Sequence, residues 1–191
     1  MGSMNSVKAN EVLLLGQEQT GKSTFLQRIV ETSNESKEEI QIDQTTGVNF
    51  VTFHINNTNF DIWDLGGDVI SQKFWRTFYQ LIKVDIIVYF IDITKPETYE
   101  KSLHDLLKIL NEEALKQSRI FLIFNCFLTK NVMLDEVKYN QYKDKADYLI
   151  NELRKYPIHD MDTRLNWDIV DVKKSSLTEG ILDNCFKLLL K

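Results

Sequence analysis

Near the start of the chain, two glycines, a lysine and a serine have the spacing of a phosphate-binding loop. The segment Gly16-Gln17-Glu18-Gln19-Thr20-Gly21-Lys22-Ser23 matches G-x-x-x-x-G-K-[ST], and it lies between the apolar run Val12 to Leu15 and a helical pattern beginning at Thr24. In this strand–loop–helix context, backbone N–H groups and the helix dipole bind an anion together. We therefore predict a P-loop in which Lys22 contacts the β- and γ-phosphates of a nucleotide and Ser23 binds Mg²⁺. The nucleotide contacts expected here are Gly16, Gln19, Thr20, Gly21, Lys22, Ser23 and Thr24.

A second group of candidate residues follows in Trp63-Asp64-Leu65-Gly66-Gly67. An aspartate that ends a buried strand beside a P-loop is placed to hold Mg²⁺, so we expect Asp64 to do so through water. Gly67 would allow a backbone N–H to approach the γ-phosphate, which makes it both a nucleotide contact and a candidate catalytic position. Earlier in the chain, Gln44-Thr45-Thr46-Gly47 offers a threonine hydroxyl that would bind Mg²⁺ only when the γ-phosphate is present.

The elements that must position these residues can be read from hydrophobic periodicity. The predicted strands are Glu11 to Leu15, Asn49 to Ile55, Phe60 to Leu65, Asp85 to Ile93, Ile120 to Phe124 and Trp167 to Val172. The predicted helices are Thr24 to Thr32, Phe74 to Ile82, Glu97 to Leu115, Lys138 to Lys155 and Gly180 to Leu190, with a break at Gly66 to Ser71. Asn56-Asn57 suits a turn, so the second and third strands form an antiparallel hairpin. Strands alternating with helices predict an α/β fold, a mostly parallel sheet covered on both faces.

Bulk composition limits the classes of partner. The 191 residues are 43% hydrophobic and carry a formal net charge of −5, which gives nucleic-acid binding no electrostatic support. No run is long enough for a transmembrane helix, and Cys126 and Cys185 lack metal-ligand spacing, so we expect a reducing, cytoplasmic setting. We expect a flexible tail over residues 1–10 and one domain over residues 11–191. Met1 to Ser3 is interpreted as an addition ahead of a native Met4, although Met1 to Ser6 also fits the N-myristoylation pattern.

The motifs resemble those of the Arf/Arl/Sar branch of the small GTPases. Trp63-Asp64-Leu65-Gly66-Gly67 with Trp75-Arg76 behind it is similar to the branch's W-D-x-G-G…W-R switch II, and Thr45-Thr46-Gly47-Val48-Asn49 to its T-x-G-x-N switch I. Arg164-Leu165-Asn166-Trp167 resembles the segment entering its last strand. The resemblance implies a three-layer P-loop NTPase fold, GTP or GDP with Mg²⁺, and Thr45 as the Mg²⁺-sensing threonine. It also implies effectors bound through switches I and II, an exchange factor and a GTPase-activating protein. We expect a monomer that reaches membranes only through a partner.

Two departures bear on chemistry. Asp68 stands where the branch has its water-positioning glutamine, and a carboxylate there lacks a donor and adds negative charge, so we expect slow hydrolysis. In the base-reading motif Asn-Lys-x-Asp, Asn125 is present but Cys126 and Leu128 replace the lysine and the aspartate. Guanine selection should be weakened, with ATP not excluded, because Leu128 accepts no hydrogen bond. Backbone N–H groups near Lys174 and Ser175 could still meet the base.

Three functions compete on these residues. The first is a nucleotide-gated switch, favoured by the complete set of phosphate-binding residues. The second is an interaction scaffold, a pseudo-GTPase with lost or relaxed nucleotide specificity. The third is a P-loop ATPase or nucleotide kinase, which is disfavoured because the chain has no arginine-rich lid.

Overall fold

The central sheet of the protein is mixed, with one antiparallel strand at its edge. The structure is a computed structural model, and it describes residues 9–32, 47–55, 58–128 and 136–173. The strands in these ranges are β1 (Asn10–Gly16), β2 (Val48–Ile55), β3 (Thr58–Leu65), β4 (Ile86–Asp92), β5 (Arg119–Asn125) and β6 (Leu165–Val170). Their order across the sheet is β2-β3-β1-β4-β5-β6, and β2 alone pairs antiparallel, with β3. The predicted fold class and its hairpin are confirmed.

The helices of the described residues differ from the prediction at several ends. They are α1 (Lys22–Thr32), α2 (Val69–Leu81), α3 (Tyr99–Leu110), α4 (Glu136–Arg154) and α5 (Met161–Arg164). The prediction of one helix from Glu97 to Leu115 was wrong, because α3 ends where the Asn111 side chain donates to the Leu107 carbonyl at 2.8 Å. Short 3-10 turns, Pro96–Thr98 and Glu113–Leu115, flank it. The helix predicted from Gly180 to Leu190 lies outside the described residues.

Two hydrophobic clusters, one on each face of the sheet, hold the layers together. β4 is buried along its whole length, and its successive side chains Tyr89 and Phe90 enter opposite clusters, as strand geometry requires. Phe25 of α1 packs with Phe90, their ring centroids 5.3 Å apart. Trp75 of α2, Leu106 of α3 and Leu149 of α4 pack on the Tyr89 side. The sheet therefore lies between helices on both faces.

This topology brings the candidate residues to one edge of the sheet. β1 is central, and the predicted P-loop leaves its carboxyl end between the ends of β3 and β4. In open α/β sheets, ligands bind outside the carboxyl ends of the parallel strands. Within the ranges that the structure describes, no helix combines the length and the apolar character needed to cross a membrane.

Candidate functional site

The loop between β1 and α1 has the backbone geometry of an anion nest. Gln19 and Gly21 have positive φ angles of 60° and 100°, so consecutive N–H groups turn toward one side of the loop. Gly21 is required for space as well as for φ. A Cβ there would lie 2.4 Å from Asn125 Nδ2 and 2.9 Å from a methyl group of Val172. The loop is thus packed tightly against the ends of β5 and β6.

Lys22 is buried at the base of this loop, with 6% of its surface exposed. Its ammonium donates to the carbonyl oxygens of Gly16 at 3.1 Å and Gln17 at 2.8 Å. Burial lowers the pKa of Lys22 from its ordinary value of 10.5 to about 8, although the nearby charges of Asp64 and Glu18 oppose this effect. The loop therefore holds a desolvated cation, which an entering phosphate would stabilise.

Two oxygen ligands meet beside Lys22. The Ser23 hydroxyl, in the first turn of α1, donates to Asp64 Oδ2 at 2.6 Å. Asp64 is fully buried near the carboxyl end of β3, and the Asn49 amide donates to the same oxygen at 3.4 Å. A hydroxyl and a carboxylate that converge next to a phosphate-binding loop are the hard ligands that Mg²⁺ prefers, so these residues fit Mg²⁺. Thr45, the predicted third ligand, lies outside the described residues.

The segment after β3 lies directly on the P-loop. The Gly67 carbonyl accepts a hydrogen bond from the Glu18 backbone N–H at 3.1 Å and another from the Gln72 side chain at 2.8 Å. A Cβ on Gly67 would lie 2.4 Å from backbone atoms of Gln17 and Glu18, so only glycine fits here. The Trp75 indole N–H donates to the Gly66 carbonyl at 3.0 Å. We call the hydrogen bond from the Glu18 backbone N–H to the Gly67 carbonyl the glycine contact.

The Asp68 carboxylate is the N-cap of α2. Its Oδ1 accepts from the backbone N–H groups of Ile70 at 2.9 Å and Ser71 at 3.0 Å, and its Oδ2 accepts from the Ser71 hydroxyl. These bonds, led by the Ser71 hydroxyl, lower the pKa of Asp68. Because of this cap, α2 begins at Val69. The helix therefore starts inside the break predicted from Gly66 to Ser71, and earlier than the predicted start at Phe74. The preference of N-caps for aspartate was the signal that sequence reasoning missed.

At the opposite end of the loop, Asn125 joins three elements. Its amide donates to the Thr20 carbonyl at 2.9 Å, and its Oδ1 accepts from the Val172 N–H at 3.4 Å. The next residues do not present a base-reading edge. Cys126 is fully buried and Leu128 is 8% exposed, and both belong to the core cluster on the Tyr89 side of the sheet. The structure therefore places the Cys126 side chain in the core, while Lys174 and Ser175 lie outside the described residues.

An apolar surface adjoins the glycine contact on β2 and α2. Phe50 and Trp63 are cross-strand neighbours with ring centroids 4.2 Å apart, and Trp63 lies 5.1 Å from Phe78. Around these rings, large apolar side chains are exposed: Val48 49%, Phe50 48%, Val69 64%, Ile70 69% and Phe74 64%. We call this surface the switch face. Several large apolar side chains exposed on two elements that flank the same strand are typical of a protein-binding surface.

Comparisons with known proteins agree with this geometry. A family model described as the ADP-ribosylation factor family matches residues 1–178. The chain is 28% identical to ADP-ribosylation factor 1 of Brassica rapa subsp. pekinensis and 27% identical to ADP-ribosylation factor 3 of Arabidopsis thaliana, each over 118 residues. Both alignments span 62% of this chain and 61% of the relative. Among solved structures, the Arl6 BBS3 small GTPase of Trypanosoma brucei with bound GppNp matches with a TM-score of 0.70 and 15% identity, covering 94% of this chain and 96% of that one.

Proposed function

Because the chain belongs to the ADP-ribosylation factor family, we propose that it is a nucleotide-gated switch that binds GTP and GDP with Mg²⁺. The observation that carries the proposal is the contact between Ser23 and Asp64 beside the buried ammonium of Lys22. When bound, Mg²⁺ would supply positive charge that neutralises part of the charge on the phosphates. Ser23 and Asp64 would hold it, and Lys22 would exchange a carbonyl partner for a phosphate oxygen.

The glycine contact is the proposed moving part. A triphosphate needs the P-loop N–H groups, and one of them, that of Glu18, donates to the Gly67 carbonyl in this arrangement. A ligand shifts a conformational equilibrium only through its different affinity for the two states. A γ-phosphate that competes for this donor and for the Gly67 N–H supplies such a difference. A diphosphate reaches less far, so it leaves the contact in place.

The switch face would report this change to effectors. Gly66 is bound to Trp75 of α2 through the indole N–H, so movement of the glycines reaches α2 directly. Val69, Ile70 and Phe74 lie on that helix, and Phe50 lies on the strand paired with β3. We propose that effectors bind this surface, that an exchange factor and a GTPase-activating protein act on the same region, and that any membrane association depends on such partners.

Hydrolysis by the isolated protein is proposed to be slow. Asp68 is ionised and its two oxygens accept bonds from α2, so it has no proton to donate to a transferring phosphoryl group. A general-base role for Asp68 would need a raised pKa near the operating pH. Its pKa is instead lowered, which supports the capping role over the catalytic one.

The nucleotide carried by the purified protein tests the proposal. We expect purine nucleotide to be released on denaturation, and we expect Lys22→Met to carry none. Exchange of GDP for a non-hydrolysable triphosphate should change the fluorescence of Trp63 and Trp75 and leave that of Trp167 unaltered. Single variants of each tryptophan to phenylalanine separate the three signals. A protein that binds no triphosphate, or that binds it without a change at Trp63 and Trp75, would contradict the switch.

A pseudo-GTPase scaffold is the second candidate function, and the burial of Leu128 favours it. The residue that would read guanine is part of the core, so the site lacks a base-specific acceptor at that position. The two candidates differ in the fluorescence experiment. A scaffold would present the same switch face with and without triphosphate.

A further inference from the structure

The middle one of the three residues that follow Asn125 has an unusual backbone angle. Phe127 has a φ of 36°, a left-handed conformation that residues other than glycine rarely adopt. With this turn in the backbone, Cys126 and Leu128 both enter the core and Phe127 stays partly exposed between them. At the two base-reading positions of the motif, the side chains are therefore buried. The partly exposed side chain between them is an aromatic ring.

A cation lies over this ring. Lys173 Nζ is 5.5 Å from the centroid of Phe127, within the range of a cation–π interaction. The backbone of Lys173 is held on two sides, since its N–H donates to Asp171 at 3.1 Å and its carbonyl accepts from Arg28 at 2.9 Å. The pair is thus anchored where β5 and β6 end.

This pair lies on the nucleotide side of the sheet. Asn125, two residues before Phe127, donates to the Thr20 carbonyl in the P-loop, and Asp64, the proposed Mg²⁺ ligand, lies at the opposite, β3 side. Ligands of open α/β sheets bind along the carboxyl ends of the strands, and the ends of β5 and β6 adjoin the loop on the side away from Asp64. Asp171, which could otherwise replace the missing carboxylate, is 1% exposed and its Oδ1 accepts from the Lys173 backbone, so it faces inward.

We propose that Phe127, backed by Lys173, is a stacking platform for the nucleobase, and that the site takes purine nucleoside triphosphates with little discrimination between guanine and adenine. The inference rests on the proposed nucleotide binding and names its substrate class. Every base has a π face, so stacking on an aromatic ring tolerates base identity, whereas hydrogen-bonded edges do not. Lys173 can donate to acceptors that guanine and adenine share, such as N7, but it cannot accept from the guanine N–H groups.

Competition binding experiments on four proteins test this proposal. These are the parent, Phe127→Ala, Phe127→Tyr as the conservative control and Lys173→Met. The ligands are GTP, ATP and inorganic tripolyphosphate, each with Mg²⁺. Tripolyphosphate carries no base, so it measures the phosphate end alone. For the parent we expect GTP and ATP affinities within about tenfold of each other, since the several-kcal/mol discrimination of a bidentate base contact is missing.

Phe127→Ala should raise the dissociation constants for GTP and ATP by a similar factor of about ten or more, as expected for the loss of one base–aromatic stack. It should leave tripolyphosphate binding and the melting temperature unchanged, and Phe127→Tyr should retain the parent values. Lys173→Met should weaken both purine nucleotides less than Phe127→Ala does. If Phe127→Ala weakened tripolyphosphate binding as much as nucleotide binding, the role of Phe127 would be structural. If the parent strongly preferred GTP over ATP, guanine would still be read. Either result overturns the proposed stacking platform. A parent that binds none of the three ligands overturns the proposed function itself, which separates the two failures.

Discussion

The buried ammonium of Lys22 predicts that triphosphate affinity falls steeply with pH. In the free protein its pKa is about 8, because burial disfavours the charged form. A phosphate beside the ammonium favours the charged form, so binding raises this pKa again. Above about pH 8, binding must therefore take up a proton, and affinity decreases as pH rises.

The size of the effect follows from the lowered pKa. A decrease from 10.5 to about 8 corresponds to about 3 kcal/mol, of which a tightly bound triphosphate could recover most. The dissociation constant should rise about tenfold between about pH 7 and about pH 9, and by at most about 300-fold at still higher pH. The stability of the unliganded protein depends on pH in the opposite direction. The folded state binds fewer protons than the unfolded state between pH 8 and 10.5, so its stability should rise with pH over that window.

Calorimetric titration of the parent protein with a non-hydrolysable triphosphate measures the dissociation constant and the proton uptake on binding. Repeating the titration at about pH 9 in buffers of different ionisation enthalpy should reveal an uptake of about nine-tenths of a proton. The matched control is Lys116→Met, which removes an exposed lysine whose ammonium pairs with Glu113. It should reproduce the parent profile, whereas Lys22→Met should lose the dependence together with most of the affinity. A parent affinity that is flat over this range would refute the reasoning, because Lys22 would then be equally protonated in both states.

Three further predictions follow from individual contacts. Asp68→Gln should raise the single-turnover rate of GTP hydrolysis and lower the melting temperature, because it supplies a donor and loses the N-cap; a slower variant would support a general base instead. Gly67→Ala should lower the melting temperature of the unliganded protein, since its Cβ would lie 2.4 Å from the P-loop backbone, and an unchanged melting temperature by calorimetry would contradict the glycine contact. Leu128→Asp should lower the free energy of unfolding by about 4 kcal/mol or more in denaturant titration, because it buries a charge; a stable variant with sharper guanine preference would show that this position faces the base.

The sheet could be predicted because its strands carry their own signal. The continuous apolar run of β4 marks a strand buried on both faces, and the structure confirms it from Ile86 to Asp92. The end of α3 was missed because the apolar spacing continues past it. Leu115 is fully buried in a 3-10 turn and belongs to the core cluster on the Tyr89 side of the sheet.

The phosphate end of the site was predictable for a related reason. Lys22, Ser23 and the glycines act through a local backbone conformation that their spacing encodes. The base end was not, because Phe127 adopts a left-handed φ between the buried Cys126 and Leu128. Residue types alone do not specify that angle, so sequence reasoning detected the loss of the motif but not the exposed ring that replaces it.

The two departures from the family pattern share one physical consequence. Asp68 bonds its own helix and Leu128 packs in the core, so each side chain contacts the protein where the family's residue contacts the nucleotide. A side chain that contacts only the protein adds nothing to nucleotide binding, and a ligand shifts a conformational equilibrium only through its different affinity for the two states. In the proposed switch, the hydrogen bond between Glu18 and Gly67 is the contact that responds to phosphate. Nucleotide gating in this chain should therefore depend on the phosphates, with base identity and transition-state stabilisation contributing little.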